Sequence, residues 1–505
     1  MKLQFFGSTF RTTILFILLA ELLSFFVFWT NWFYGLMPLA FIAIALASLI
    51  VSAINIKYGL FIALVELFIG SQGHLFFYTI GDFNVSIRIA IFASVMLVWL
   101  LKLFNKTHAK KALHIIKQNK ELVWLALICV WGVAFALIRN NSLANVFLDF
   151  NAWLYFLYFL PFLGFLNKKD DLNTVLQLFT ASTVAIIVKT FTFLYVFSHQ
   201  IPIIKTMYSW GRDTRWGEFT LITDGIFRIF SQAHIFVLIG FFIALGYLSF
   251  KKSSEYKDKH NKWLNLYIVL TSSIIIVSLS RSFWVGLAFA FLVFAFVALF
   301  NYKFRLKKSL LLLGRLLLTT VIGFALLYSI INIPIGQYGT TGSTGSMIKE
   351  RLTLSGAAAS SRWAQVPGLT AGIIKHPVIG SGWGTTITYQ SQDPRILTPK
   401  NPQGWYTTYA FEWGYLDFAL KIGLLGVIIY IIFLISILKR YIQLWRKKTD
   451  RFVNALIIGL MLGLVALIIV HGFTPYLNHP LGIGYLLLLL LIHSLLQDKI
   501  APTKA

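Results

Sequence analysis

The chain has 505 residues, 58% of them apolar, 16% aromatic and only 12% charged, a composition that excludes a soluble globular protein. Its formal net charge of +26 invites a nucleic-acid partner, but the lysines and arginines sit mainly in short connections between apolar runs, where they set membrane orientation. The single cysteine, Cys129, lies in an apolar run, so intrachain disulfides and multi-cysteine metal sites are excluded.

A bilayer crossing takes about 20 mostly apolar residues, and fourteen runs read as spans: 12–29, 33–55, 58–79, 87–104, 121–138, 153–166, 172–197, 231–250, 263–280, 282–300, 309–332, 419–438, 452–472 and 481–496. The first lacks a small-residue cleavage site and leads straight into further apolar sequence, so it is a helix rather than a signal peptide. The expected fold is an all-α polytopic membrane protein, one transmembrane domain over residues 1–505. Two long extracytoplasmic loops are expected, at 199–230 and 333–418, the second containing short helices.

With the amino terminus inside, the strongly basic connections, among them Lys106 to Lys111, Lys251-Lys252, Lys303 to Lys308 and Lys439 to Arg451, fall on the cytoplasmic side together with both termini. The two sides use different cations. Lysine dominates inside; outside stand Arg88, Arg139, Arg212, Arg215, Arg228, Arg281, Arg351, Arg362 and Arg395. Positive charge on the translocated side runs against topology. Arginine offers a planar fork that binds phosphate in bidentate fashion and stays charged when partly buried, so a phosphate-bearing ligand on the outer face explains the bias. Pairing with Asp213, Glu218 and Asp224 is the plainer explanation. Within the spans, Glu21, Glu66 and Lys189 are scattered charges that can pair structurally and do not form a proton relay.

Three outer connections carry candidate chemistry. In 199–230, Trp210-Gly211-Arg212-Asp213-Thr214-Arg215-Trp216-Gly217 interleaves cations for phosphate with aromatic faces for sugars, although a membrane-interface belt is also rich in tryptophan. Ser278 to Ser282 places Arg281 in a minimal turn between two spans, costly unless that arginine faces water or an anion. The longest polar interruption, 333–418, holds Arg362-Trp363, then Lys375-His376-Pro377-Val378-Ile379-Gly380-Ser381-Gly382-Trp383-Gly384. Its glycines suit a tight turn or close approach to a ligand. Ser360 or Ser361 is expected to cap a helix that Pro367 limits or kinks. No acidic pair or histidine spacing suggests a metal.

Ser280-Arg281-Ser282, Arg362-Trp363 and His376-Pro377-x-x-Gly380-x-Gly382 together resemble the O-antigen ligase and O-antigen polymerase superfamily, over roughly residues 220 to 430, with Phe227-Arg228-Ile229-Phe230 similar to an arginine that precedes a span upstream in that family. The family pattern continues with His-Asn-x-Tyr-Leu and a closing Gly-x-x-Gly. Aligning the latter with Gly423-Leu424-Leu425-Gly426 sets Glu412-Trp413-Gly414-Tyr415-Leu416 in the place of the former, so glutamate stands where the family has a histidine thought to act as base.

The resemblance implies a glycosyltransferase of the bacterial inner membrane with an outward-facing site. It would move a glycan from a polyprenyl-diphosphate donor to an acceptor glycan or glycolipid, with no cofactor, no metal and no nucleic acid. A chain-length regulator is a further possible partner. The departure at Glu412 tilts the expectation to a polymerase of O-antigen or exopolysaccharide repeats over a ligase acting on lipid A core or protein. A polysaccharide flippase is the alternative of another class; transporters often show repeated halves and broken helices around a midplane site, but no internal repeat is evident and the polar residues cluster on one face in one asymmetric loop. The expected catalytic residues are Glu412 as base with Arg281 and Arg362 on the leaving diphosphate, and Asp417 and His376 in reserve. Arg228, Arg215, Arg351, His376, Gly380, Gly382 and Trp363 are expected to bind substrate.

Overall fold

A computed structural model describes residues 3–81, 83–223, 226–249, 259–300, 306–334, 357–392, 396–447 and 450–500. The first helices are α1 (Ser8–Tyr34), α2 (Leu36–Ile54) and α3 (Ile56–Ile69). The expected span 58–79 is corrected here. Its helix stops at Ile69, the chain turns through Ser71 and Gly73 with left-handed backbone, and an antiparallel hairpin follows, β1 (Phe77–Ile80) with β2 (Phe83–Ser86). Arg88 fastens that turn by donating from Nη1 to the Ser71 carbonyl at 2.8 Å.

Helix α4 (Ile87–Lys102) bends by 113° into α5 (Lys106–Gln118). Asn105 caps α5, its Oδ1 accepting from Thr107 N–H at 2.9 Å, which is the usual way a polar side chain starts a helix. Next come α6 (Lys120–Ile138), α7 (Leu143–Phe150), a 3-10 segment (Asn151–Tyr158), α8 (Phe159–Phe165) and α9 (Lys169–Ser198). The connection 199–230 is not irregular: it holds α10 (Ile204–Asp213) and the hairpin β3 (Glu218–Thr223) with β4 (Ile226–Phe230).

The second half runs α11 (His234–Ser249), α12 (Lys259–Val277), α13 (Arg281–Phe300) and α14 (Leu306–Asn332). In the long interruption, α15 (Ala357–Lys375) is one 19-residue helix that continues through Pro367, not a set of short ones, and Ser360 and Ser361 lie inside it rather than at its cap. Beyond it β5 (Ile387–Gln390) pairs with β6 (Trp405–Thr408). The chain closes with α16 (Gly414–Arg446), α17 (Arg451–His471) and α18 (Pro480–Ile500). Among the described residues nine helices are long and apolar enough to cross a membrane, or ten counting the bent α4–α5 pair, while α11 and the described parts of α12 and α13 are apolar but shorter. The expected fourteen is a finer count than this.

Helices α11, α17 and α18 form the centre of the bundle and are buried on almost every side, whereas α1, α2 and α14 present most of their apolar surface outward. Apolar residues all round a helix mark burial in a core or in lipid. Small residues allow the central helices to touch. A Cβ on Gly246 of α11 would lie 2.5 Å from the Ala455 carbonyl, and one on Gly459 of α17 would lie 2.5 Å from Ile243 Cα, the close backbone approach that glycine gives to helix pairs in membranes.

Helix α16 is broken at Gly423, whose φ of 68° and ψ of 178° fall in a region open essentially to glycine alone. The turn after α15 docks into that break. Leu424 and Leu425 N–H donate to the carbonyls of Pro377 and Val378 at 2.8 and 3.1 Å, while Ser381 and Gly382 N–H donate to Leu420 and Lys421 carbonyls at 2.7 and 2.9 Å. A Cβ at Gly423 would sit 2.2 Å from the Val378 carbonyl oxygen. Gly423→Ala is therefore expected to lower stability by about 3 kcal/mol or more, seen as a lower thermal midpoint and folded yield in detergent. Gly164→Ala, with no atom within 4 Å of the added methyl, is the control expected to leave both unchanged.

Candidate functional site

The amino-terminal turns of α15 and the strand-like segment before α16 meet side by side. Arg362 Nε donates to Glu412 Oε2 in an ion pair. Three further bonds hold this pair in register: Glu412 N–H to Gln365 Oε1 at 3.2 Å, Gln365 Nε2 to Tyr389 OH at 3.2 Å, and Trp413 Nε1 to the Arg362 carbonyl at 2.8 Å. Ser361 and Ser391 hydroxyls share a bond at 2.8 Å, tying α15 to the end of β5. Side-chain exposures of 38% for Arg362 and 43% for Glu412 leave both open to a ligand. Trp363 is 62% exposed, its ring 4.9 Å from that of Trp413, which lies 6.0 Å from Phe473. Together these rings make an aromatic shelf beside the ion pair.

Arginines from other connections converge on the same place. Burial holds the Arg362 guanidinium below its ordinary pKa, the like charge of Arg281 adds to this, and Glu218 of β3 opposes it. Arg281 begins α13 after a turn in which Leu279 has a left-handed backbone. Ser280, Ser282 and Thr474 link hydroxyls at 3.0 and 3.2 Å around it. Among the described residues no carboxylate comes within ion-pair distance of Arg281. Arg228 of β4 binds the turn before Arg281, its Nε donating to the Ser278 carbonyl at 2.9 Å, and its Nη1 lies 3.5 Å from Glu218 Oε2.

The tryptophans of the 199–230 connection do something other than the sequence suggested. Trp210 and Trp216 are buried and stack on Phe193 at 5.7 and 5.0 Å. Their ring faces lie 4.2 and 4.8 Å from the ammonium of Lys189, which also pairs with Glu21 at 2.6 Å. They are cation caps on a buried ion pair, not a sugar surface. Their neighbours Arg212 and Arg215 instead line a polar cavity of ≈ 210 Å³ with Glu218. Glu66 pairs with Arg88 at 2.8 Å, so Arg88 too is committed to structure.

Several expected site residues lie apart from this group. His376 sits at the carboxyl end of α15, where its carbonyl accepts from Gly380 N–H at 3.0 Å. Slight burial lowers its pKa, with the charges of Arg139 and Lys375 acting the same way. Gly380 and Gly382, expected to touch substrate, touch protein: an added Cβ would lie 2.4 Å from the Lys421 carbonyl oxygen and 2.5 Å from Ala136 N respectively. Their left-handed backbone, at φ 75° and 86°, serves the docking of the turn. Arg351, Arg395 and Asp224 lie outside the described residues.

The reserve base Asp417 is also occupied. Lys421, 1% exposed, contacts Asp417 Oδ1 at 2.6 Å and Asp149 Oδ1 at 2.7 Å. Asp149 Oδ2 accepts from Gly384 N–H at 2.9 Å and Asp417 Oδ2 from Asn478 Nδ2 at 2.5 Å. Lys421 falls at the start of the expected span 419–438, and the expectations from sequence assign neither it nor Asp149 a role. The four-residue spacing of Asp417 and Lys421 on one helix was the available signal. Among the described residues no cluster of His, Cys, Asp and Glu could hold a metal ion.

Residues 266–431 match the family model described as O-antigen ligase, a stretch that includes Arg281, Arg362 and Glu412 and ends within α16. No curated protein and no solved structure matches the chain.

Replacing Lys421 by Met leaves two buried carboxylates facing each other. Loss of one partner of a buried pair costs about 3–5 kcal/mol, so Lys421→Met should unfold at markedly lower temperature in detergent. Asp149→Asn and Asp417→Asn added to it should recover part of the loss, because the triple variant buries no net charge.

Proposed function

We propose, from the match of residues 266–431 to the family model described as O-antigen ligase, that this multi-pass membrane protein is a glycosyltransferase. It takes a glycan from a polyprenyl-diphosphate donor to a hydroxyl of an acceptor glycan, with the reaction on the outer face of a bacterial inner membrane and both termini inside. The observation that carries this is the half-exposed Arg362–Glu412 ion pair with Arg281 near enough to act on Arg362, and with Arg228 bound to the turn that precedes Arg281, so that three separate connections contribute. The outer loops at 199–230 and 333–418 are its two walls. The family match favours a transferase over a transporter.

In the reaction the acceptor oxygen bonds to the anomeric carbon, the bond from that carbon to the diphosphate oxygen breaks, and the hydroxyl proton passes to Glu412. Charge accumulates on the departing diphosphate. Fixed cations therefore stabilise the transition state more than the bound donor, and Arg281, with no carboxylate in ion-pair distance among the described residues, is best suited to this. Arg362 holds Glu412 in its ionised form before substrate arrives, since an adjacent opposite charge favours the charged state. As the diphosphate claims the Arg362 fork, Glu412 loses its counter-charge and becomes the stronger base. Arg228, already bound to the Ser278 carbonyl, positions the Arg281 turn. Trp363 and Trp413 offer ring faces to the sugar beside the reacting atoms.

A polymerase of repeat units fits the glutamate in the position of the family histidine; the matched family model itself is named for the ligase, which keeps a single transfer to lipid A core or protein as the second reading. Purified protein given a polyprenyl-diphosphate oligosaccharide should yield a ladder of products if it polymerises. One addition to a second acceptor identifies a ligase, and donor recovered intact from wild type overturns both. Glu412→Gln should cut turnover by about 10²–10⁴ with donor binding retained, and Arg281→Gln by roughly 10²–10³. His376→Ala should keep most of the wild-type rate.

A further inference from the structure

The cavity of ≈ 210 Å³ adjoins the proposed catalytic group without including it. Its polar wall is Ser71, Gln72, Arg212, Arg215, Glu218 and Gln232; none of Arg228, Arg281, Arg362 or Glu412 lines it. Two guanidiniums meet one carboxylate there, and that carboxylate is turned to Arg228 at 3.5 Å. Among the described residues Arg212 and Arg215 have no carboxylate within ion-pair distance. The region is positive beyond the cavity itself: burial lowers His74 to about 4, with Arg215 next in effect.

The wall is built rather than incidental. Ser71 and Arg215 both adopt left-handed backbone, at φ 47° and 52°, a conformation uncommon for residues with a Cβ. Arg88 pins the Ser71 carbonyl, and Trp216 is locked over Lys189. Gln72 and Gln232 add amide groups to the wall beside the two guanidiniums, so a ligand with hydroxyls as well as a negative charge suits it better than a bare anion. The ≈ 210 Å³ gives room for a single sugar ring, and the cavity is open on one side, so the rest of a glycan can leave it.

We propose that this cavity is a subsite for one anionic sugar residue of the glycan, its carboxylate or phosphate held by Arg212 and Arg215 and its hydroxyls by Gln72 and Gln232. It rests on the glycosyltransferase reading for the source of that sugar, while its binding can be measured without turnover. The subsite would select glycans whose repeat carries a charge at a fixed distance from the reacting carbon, with Glu218 as the partition between the sugar's anion and the diphosphate.

The test uses the full-length protein in detergent and calorimetric titration with glucuronate, glucose 6-phosphate, neutral glucose and inorganic pyrophosphate. At least one anionic sugar should bind about tenfold or more tighter than glucose, the size expected of charge-assisted hydrogen bonds; which one does so assigns carboxylate or phosphate. Arg212→Gln with Arg215→Gln should abolish that preference and leave pyrophosphate binding intact, and Arg281→Gln should do the reverse. The Lys versions at 212 and 215 should keep part of the preference, and an unchanged thermal midpoint shows that each variant folds. If neither anionic sugar exceeds glucose, or if Arg281→Gln removes the preference as fully as the double variant, the subsite is overturned. Wild type that binds the anionic sugar yet leaves lipid-linked donor intact would sink the transferase reading alone.

Discussion

The break in α16 is the constraint on which the rest of the architecture depends. A helix interrupted inside an apolar bundle exposes N–H and C=O groups that lipid cannot satisfy, each at a cost of several kcal/mol. Here the turn after α15 supplies the missing partners through four main-chain bonds between 377–382 and 420–425. The break and the turn therefore require each other. Lys421, two residues before the break, is balanced by Asp417 of its own helix and Asp149 of α7. The second of these also holds Gly384. Arg362 lies upstream of this clamp on α15, and Glu412 lies just before α16. Their meeting is a consequence of how the turn is seated.

Buried charge follows one pattern across the molecule. Glu21 with Lys189, Glu66 with Arg88, and Asp149 and Asp417 with Lys421 each lie beneath a connection between helices and fasten it. Lys189 is covered by the tryptophans of 199–230, Arg88 holds the turn after α3, and Lys421 supports the turn after α15. Removing either member of such a pair strands a charge in a dry environment, so these ions serve as fixed floors for the loops. Arg212, Arg215 and Arg281 differ in having no carboxylate partner among the described residues. That separation between spent and available cations gives the outer arginines their significance, more than their number does.

Much of this was legible in the sequence. Apolar runs located helices because crossing length is a physical threshold, the contrast of lysine with arginine set nine arginines apart, and the resemblance singled out Arg281 and Arg362 among them. Structural pairing of Lys189 with Glu21 follows the expectation, whereas Glu66 pairs with Arg88, which that contrast groups with the phosphate candidates. What failed did so for identifiable reasons. The run 58–79 looked like a span because hydropathy does not register that Gly70 and Gly73 end a helix and that alternating residues follow. Trp210 and Trp216 looked like sugar ligands because exposure is not written in composition; only the fold shows that Phe193 and Lys189 take up their faces. Gly380 and Gly382 were read as open to a ligand or a turn, and the decision lay with Ala136 and Lys421, distant in sequence. Proline at 367 suggested a helix end, but loss of one N–H was tolerated within a helix held by Gln365 and Ser361.

The Arg362–Glu412 pair poses the sharpest mechanistic constraint. A carboxylate already neutralised by a guanidinium is a weak base, because its proton affinity is lowered by the adjacent positive charge. The pair as it stands therefore suits a resting state. In the proposed reaction the donor diphosphate carries more negative charge than Glu412 and offers arginine the same planar, bidentate geometry, so it competes for Arg362 on equal terms of shape and better terms of charge. Activation of the base is then coupled to donor occupancy, and water arriving at an empty site meets an inactive carboxylate. A histidine in this position would be neutral and would have no counter-charge to lose. In that proposal a glutamate at this position works through an arginine within reach, and Arg362, whose carbonyl accepts from Trp413 Nε1, is the arginine placed there.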